Sequence, residues 1–438
     1  MTELKKTFYR TAYPWIIWGI SAGFIFYKYL LQVSPSVMTG DLMRAFQINA
    51  GWLGNLSACF FYAYLIMQIP VGILLDRYSP RRLTTVAILV CSFSTLLFAE
   101  NTSFLSASIT RAFMGFGSAF AAISCFQLAA MWFPPKRFAL VSGMFMTAGM
   151  FGAIGGQLPL SLMVQSGGWR SAMHTVGLVG LGLAALYFLI VRDKVTNKPT
   201  PLNKPQPKAP FFANLWHVVT NPQAIWLSVY SGLAFAPVTV FGGLWGVPFL
   251  SSAYQLSADD AAIVVSFVFV GFAFGAPFLG WLSDHIGRRK PILVYGTLAA
   301  LIGLSIVIYG NALSYWTLAS LLFIFGFGAS GYFTSFAVIR EHFSLTLVAT
   351  ALGVMNTFDS LCEALFEPLI GAVLDMTWHG DLLNGVRQMS PHGYHIALSF
   401  LPISMLFALI SLYFINETYC RGFESTCHAS HNDELLTF

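Results

Sequence analysis

Apolar runs of membrane-spanning length follow one another along almost the whole chain. Crossing the hydrocarbon core as a helix takes about 20 residues. Cutting at polar turns and Gly/Pro breaks leaves twelve runs: 14–38, 50–75, 83–99, 104–130, 139–164, 171–191, 223–250, 261–282, 291–309, 314–338, 345–374 and 394–415. In lipid each segment must satisfy its own backbone polar groups, so the runs predict helices. Only 9% of the 438 residues are charged, against about 25% in soluble domains. The expected fold class is an all-α integral membrane protein with twelve transmembrane helices.

The net charge of +5 is a statement about topology rather than nucleic-acid binding. Of 23 Lys and Arg, eighteen fall in the segments that are cytoplasmic if both termini are. Three, Arg44, Arg170 and Arg387, fall outside, and Lys28 and Arg111 lie within spans. This asymmetry predicts a multi-pass protein of a bacterial inner membrane with cytoplasmic termini. The first apolar run is too long for a secretory h-region and reads as a span. The six cysteines show no metal spacing, so no metal site is expected.

The one long connection, 192–221, begins Pro-, Lys- and Asn-rich and reads as a stiff cytoplasmic linker. Its end, with Phe211, Phe212, Leu215 and Trp216, fits a short amphipathic surface helix. The expected organisation is a six-helix bundle (1–191), a linker (192–222), a second six-helix bundle (223–416) and a polar tail (417–438). The halves repeat. GILLDRYSPRR, with Gly72, Asp76, Arg77, Arg81 and Arg82, is echoed 208 positions on by GWLSDHIGRRK, with Gly280, Asp284 and Arg288. Gly115 and Gly117 of the fourth run are echoed by Gly326 and Gly328 of the tenth. Such repeats point to a transporter, with the substrate site between pseudo-symmetric bundles near the midplane.

These residues resemble the loop motif of the major facilitator superfamily, G-x-x-x-D-R-x-G-R-R/K, between its second and third helices. Ser79 replaces the second glycine in the first copy, and His285 replaces the arginine in the second. The resemblance covers the whole chain and implies secondary transport, without a cofactor and without enzymatic activity. It also implies a conformational latch at Gly72, Asp76, Arg77, Arg81, Gly280, Asp284 and Arg288, in which an aspartate accepts helix N-terminal amides. YKYLLQVSPSVM, FFYAYLIMQIPVGILLD, GLAFAPVTVFGGLWGVPFL and EPLIGAVLD are similar to the phagosomal nutrient transporter group of intracellular bacteria. Members of that group import amino acids or nucleosides, so the likeness implies an importer of small polar metabolites. With the acids described below, the expected function is a proton-coupled importer of an amino acid or nucleoside, a monomer acting on a small-molecule substrate. A glycine-rich fifth run keeps open the alternative of an exporter of drugs or organic anions by proton antiport. An intramembrane enzyme is disfavoured, because HExxH and P-loop motifs are missing from the sequence.

Three acids sit inside the eleventh run. Asp359, Glu363 and Glu367, at i, i+4 and i+8, share a helical face. A carboxylate at the bilayer centre costs at least about 2.5 kcal/mol on insertion scales, so it marks a cavity or a protein interior. These acids are the expected proton-coupling groups, Glu363 first because it has acids on both sides. Static ion pairs with Lys28 and Arg111 are the bland alternative. Counting residues along the helices places Asp359 at the depth of Lys28, and Glu363 and Glu367 toward Arg111. Expected substrate-binding residues are Lys28, Gln32, Arg111, Gln127, Trp245, Tyr332 and Asn356. Gln127 and Tyr332, each taken alone, read first as helix-packing residues, and Trp245 can equally belong to an interfacial belt. The glycines of the fifth run read as close packing.

Overall fold

The computed structural model describes residues 12–193, 211–380, 382–383 and 386–420. Most of the linker and the end of the tail lie outside the described residues, as do the side chains of Asp76 and Arg77. The membrane helices in chain order are α1 (Tyr13–Val33), α2 (Ala50–Arg77) and α3 (Pro80–Glu100). Helix α4 has two segments, Phe104–Ser118 and Phe120–Trp132. Helix α5 opens as Pro135–Gly155, breaks at Gly156–Gln157 and continues through 158–167. Gly168, at φ 79° and ψ 158°, interrupts the helix. Only glycine takes that conformation readily, and the chain turns there into α6, residues 169–190.

Helix α7 comprises Pro222–Val240, a π-helical turn Phe241–Trp245 and Gly246–Ala253. Helices α8 (Ala258–Ile286) and α9 (Lys290–Tyr309) follow. Helix α10 consists of Tyr315–Ala329 and Thr334–His342 about a 3-10 turn, α11 is Leu345–Met376, and α12 is Pro391–Leu398 with Phe400–Ser411. Strands β1 (Leu382–Leu383) and β2 (Val386–Arg387) form a small antiparallel hairpin before α12. That hairpin departs from the all-helical expectation without altering the membrane architecture. Among the described residues ten stretches qualify as spans by length and hydropathy. One of them, Leu140–Ile190, is 51 residues long and holds both α5 and α6. Helix α11 is not among the ten, and it carries the three acids. Together they make the twelve predicted helices. The linker's end is helical over Phe211–Val219.

The starts of α2, α3, α4 and α10 are capped by side chains. Asn49, Ser79, Ser103 and Ser314 accept from the amides of Trp52, Arg82, Ser106 and Thr317. Each such cap contributes about 1 kcal/mol. Large apolar side chains such as Leu105, Leu178, Tyr295 and Phe274 point outward, as a lipid-facing surface requires.

Two compact units emerge. One contains Met1–Thr196, Thr239–Val270 and Glu363–Leu398, so the outer portions of α7, α8 and α11 pack with the first six helices. ("Outer" here means the side poor in Lys and Arg.) The other contains Asn197–Val238, Gly271–Cys362 and Ser399–Phe438. Close packing in the first unit depends on glycine. A Cβ on Gly152 would lie 2.1 Å from the Phe26 carbonyl of α1, and one on Gly54 would lie 2.4 Å from the Glu367 carbonyl of α11. A Cβ on Gly371 would lie 2.2 Å from the Ala50 carbonyl. Backbones that touch this way exclude any larger residue. In the second unit Gly328 meets the Gly296 carbonyl of α9, as Gly117 meets the Ala87 carbonyl of α3, so the repeated glycines play matching roles.

Candidate functional site

Helix α1 stops at Val33 because Pro35 follows, and the chain tightens into the 3-10 turn Ser34–Val37. The last carbonyls of a helix have no partner within it. Arg111 of α4 supplies one. Its Nη1 donates to the Leu31 carbonyl (2.6 Å) and its Nη2 to the Gln32 carbonyl (2.8 Å). The guanidinium is buried and lies 5.0 Å from the Phe60 ring centroid. A planar cation at a helix C-terminus is favourable on both hydrogen-bond and dipole grounds. Both hydrogen-bonding arms of Arg111 are thus committed to the protein, with Glu367 as its nearby counter-charge.

Lys28 lies one turn further into α1 and is 7% exposed. Its Nζ donates to Gln32 Oε1 and sits 3.7 Å from the Tyr29 ring centroid and 5.1 Å from that of Tyr64. The charge that faces it is Glu363. Within the first unit Glu363 faces Lys28, and Glu367 faces Arg111.

All three acids are buried, at 5% for Asp359, 4% for Glu363 and 1% for Glu367. Thr239 lies beside the Glu363 carboxyl and Ser57 beside that of Glu367. Among the described residues Glu363 Oε1 and Glu367 Oε2 have no hydrogen-bond partner. Buried polar atoms are normally satisfied, so two open acceptors on adjacent turns leave room for protons or a ligand. Asn356 is half-buried one turn inward of Asp359 on α11.

Trp245 is 1% exposed, and its Nε1 donates to the Glu367 carbonyl (3.2 Å). It lies in the packed wall of α7 and not in an interfacial belt. Gln127 ties α4 to α2 by donating to the Leu75 carbonyl (3.0 Å). Tyr332, in the second unit, stacks on Phe235 with ring centroids 4.5 Å apart, in an aromatic cluster with Phe272 and Phe333.

The motif loops are built as caps on helix starts. Arg81 donates from its guanidinium to the Phe188 carbonyl, while its amide donates to Asp193 Oδ1 (3.1 Å). Asp193 also accepts from Ser79, so the acid after α6 closes the start of α3. In the second unit Glu417, after α12, accepts from the amides of Arg289 (2.8 Å) and Lys290 (2.9 Å) at the start of α9. This second cap repeats the first and is not apparent in the motif itself. Asp284 pairs with Arg289, the neighbour of the motif residue Arg288. Arg288 is exposed with its guanidinium 5.9 Å from the Tyr419 ring, whereas Arg289 precedes α9 and turns inward to Asp284, Ser283 and Glu341. Burial opposes the charge of Arg289, but its bonds to Glu341 and Asp284 outweigh this and hold the guanidinium above its ordinary pKa. A Cβ on Gly72 or Gly280 would meet nothing within 4 Å, so these motif glycines are not needed for packing here. Among the described residues no cluster of His, Cys, Asp and Glu could hold a metal.

The sequence profile of the Major Facilitator Superfamily matches residues 16–358 and 233–421. The chain belongs to that superfamily. It is 24% identical over 428 residues to a probable galactarate/D-glucarate transporter, GarP, of Escherichia coli, covering 89% of this chain and 91% of the relative. It is 22% identical over 355 residues to a probable hexose phosphate transport protein of Chlamydia pneumoniae, covering 74% and 77%. Among solved structures it superposes on a bacterial homologue of the human lysosomal transporter Spinster, crystallised inward-facing and unoccupied. The TM-score is 0.75 with 19% identity over 94% of this chain and 97% of the other. The nucleoside transporter NupG matches with a TM-score of 0.67 and 14% identity over 91% and 98%. These structural likenesses establish the fold, and membership of the superfamily makes the protein a multi-pass secondary transporter that works without a cofactor.

Proposed function

We propose that this major facilitator is a proton-coupled importer of a small, hydroxyl-rich organic anion, in a bacterial inner membrane with both termini cytoplasmic. The observation that carries the reading is the environment of Lys28. Its ammonium has three donors, yet its partners are a neutral amide, two aromatic faces and one facing acid, Glu363. A substrate carboxylate or phosphate can take over that ammonium. Glu363 is then left without its counter-charge, and a proton taken from the outer side removes the uncompensated buried charge. Proton and anion thus enter together and leave together. Gln32, beside Lys28, supplies a neutral donor and acceptor for hydroxyl groups.

Relatives named as probable galactarate/D-glucarate, L-galactonate and hexose phosphate transporters carry hydroxylated anions in their names, which supports this substrate class. An amino acid is the second reading, because its carboxylate suits the same ammonium. An uncharged nucleoside offers Lys28 nothing to neutralise.

A thermal-shift screen of purified protein with aldaric acids, sugar phosphates, amino acids and nucleosides tests the substrate class. The largest shift is expected from a hydroxylated anion, and Lys28→Gln is expected to abolish it. Shifts from bulky apolar cations alone would favour the exporter. For coupling, Glu363→Gln is expected to bind substrate but to lose accumulation driven by a pH gradient. Intact proton-driven accumulation in that variant would exclude Glu363 as the carrier.

A further inference from the structure

Three helices of the first unit break at one level, and a single side chain joins the breaks. Gln157 stands at the interruption of α5, fully buried. Its Nε2 donates to the Gly242 carbonyl (2.7 Å) in the π-helical turn of α7 and to Ser36 Oγ (3.1 Å) in the 3-10 turn that follows α1. Ser36 in turn donates to the Val33 carbonyl (2.8 Å). A π-turn widens the helix and recurs at functional positions. Broken backbone at membrane depth is tolerated only where its polar groups find partners. A glutamine amide suits this node because it has two donors and an acceptor on one rigid plane. Beyond the break α5 is tied to the second half once more, where Ser161 Oγ donates to Asp259 Oδ1 (2.7 Å) at the start of α8.

The node lies beneath an outer depression of about 440 Å³, lined among others by Ser36, Arg44, Val247, Ser252 and Arg387. Ser36 is 1% exposed, so the depression ends at the node.

We propose that Gln157 is the positioning residue of the outer gate: its two hydrogen bonds lock α1 to α7 when the outer side is closed, and their release accompanies outward opening. The inference rests on the chain being a transporter and not on its substrate. Alternating access requires the two halves to part on the outer side. The weakest place for them to part is where helices are already interrupted and are held by side-chain bonds rather than by continuous backbone ladders.

The test uses the full chain in liposomes with a buried reporter, Gly243→Cys, whose Cβ would sit 3.6 Å from the Val33 side chain in ordinary contact. Labelling by a membrane-impermeant maleimide from outside reads gate opening, with the rate of the parent chain subtracted for its own cysteines. Gln157→Leu keeps the approximate size and removes both bonds. Labelling is expected to rise roughly tenfold, equivalent to about 1.4 kcal/mol. Gln157→Glu, isosteric but unable to donate when ionised, is expected to produce a similar rise. Ser36→Ala, which removes one bond, is expected to produce a smaller one and covers the case in which Gln157 variants fail to fold. Unchanged labelling in folded Gln157→Leu, with only a lower melting temperature, would assign Gln157 to static packing and overturn the proposal. A rise in the leucine variant without one in Gln157→Glu and Ser36→Ala would attribute the effect to shape and overturn it equally.

Discussion

Asp375 closes over the amide of Gly51, with Oδ2 accepting that hydrogen at 2.7 Å. Its other oxygen accepts from the Ala50 amide (3.2 Å) and from Arg387 (3.0 Å). The acid ends α11 and the amides begin α2, so a carboxylate meets the positive end of a helix dipole. This is the chemistry that the motif residues imply for the cytoplasmic side, realised on the outer side by residues outside the motif.

Asp375→Asn should loosen this outer latch. The neutral amide keeps one acceptor but loses the charge and the pair with Arg387. Losing a helix cap of this kind costs about 1 kcal/mol. Hydrogen exchange at Ala50 and Gly51 should accelerate roughly fivefold, with little change at the capped start of α3. Equal exchange in variant and parent would show that the latch contributes nothing to outer closure.

Arg111→Lys should behave as a loss of structure before a loss of charge. A lysine reaches one carbonyl as a point donor, whereas the guanidinium holds Leu31 and Gln32 together. Leaving a buried carbonyl and Glu367 poorly paired should destabilise the protein by about 2–4 kcal/mol. A lowered thermal midpoint that substrate only partly restores is the expected result. A variant as stable as the parent would mean that the α1 terminus is held by other contacts.

How far these arrangements could be read from sequence depends on the kind of signal each leaves. The spans were legible because apolar length alone specifies a bilayer-crossing helix. The α11 acids were legible because charge is expensive there, and their i, i+4, i+8 spacing already placed them on one face. That Glu363 meets Lys28 and Glu367 meets Arg111 was not, since such pairing depends on how α1, α4 and α11 pack, which no single helix's spacing records. The π-turn at Phe241–Trp245 leaves no periodicity signal beyond Gly242, Gly243 and Gly246, and Gln157 reads as one polar residue in a glycine-rich run. Arg288 and Arg289 differ by one position, and only the geometry at the start of α9 decides which turns inward.

Glycine at 54 should be indispensable where glycine at 72 is not. Gly54→Ala places a methyl 2.4 Å from the Glu367 carbonyl, a backbone atom that cannot rotate away. Helices α2 and α11 must then separate, with a cost of about 1–3 kcal/mol from overpacking and a weaker outer closure. Gly72→Ala meets nothing within 4 Å and should be neutral or slightly stabilising, since alanine is the better helix former. Thermal unfolding of the two variants side by side checks the contrast. A strongly destabilised Gly72→Ala would reveal a contact at that motif glycine in another state of the cycle.

The matching caps at Asp193 and Glu417 offer a test of the internal repeat. Each acid follows the last helix of its half and accepts amides at the start of the third, α3 in one case and α9 in the other. They belong to different compact units and share no partner. Asp193→Asn and Glu417→Gln should therefore each cost about 1 kcal/mol, and the double variant should cost their sum within about 0.5 kcal/mol. Glu417 accepts from two amides beside Arg289, whose guanidinium is held by Glu341 and Asp284, so the start of α9 keeps a second anchor when Glu417 is neutralised. Among the described residues Asp193 accepts from Ser79 and the Arg81 amide, with Arg81 itself fastened to Phe188. Hydrogen exchange at the start of α3 should consequently rise more in Asp193→Asn than exchange at the start of α9 rises in Glu417→Gln. Coupling above 1 kcal/mol in the double variant would mean that the two halves communicate through these caps rather than carrying them independently.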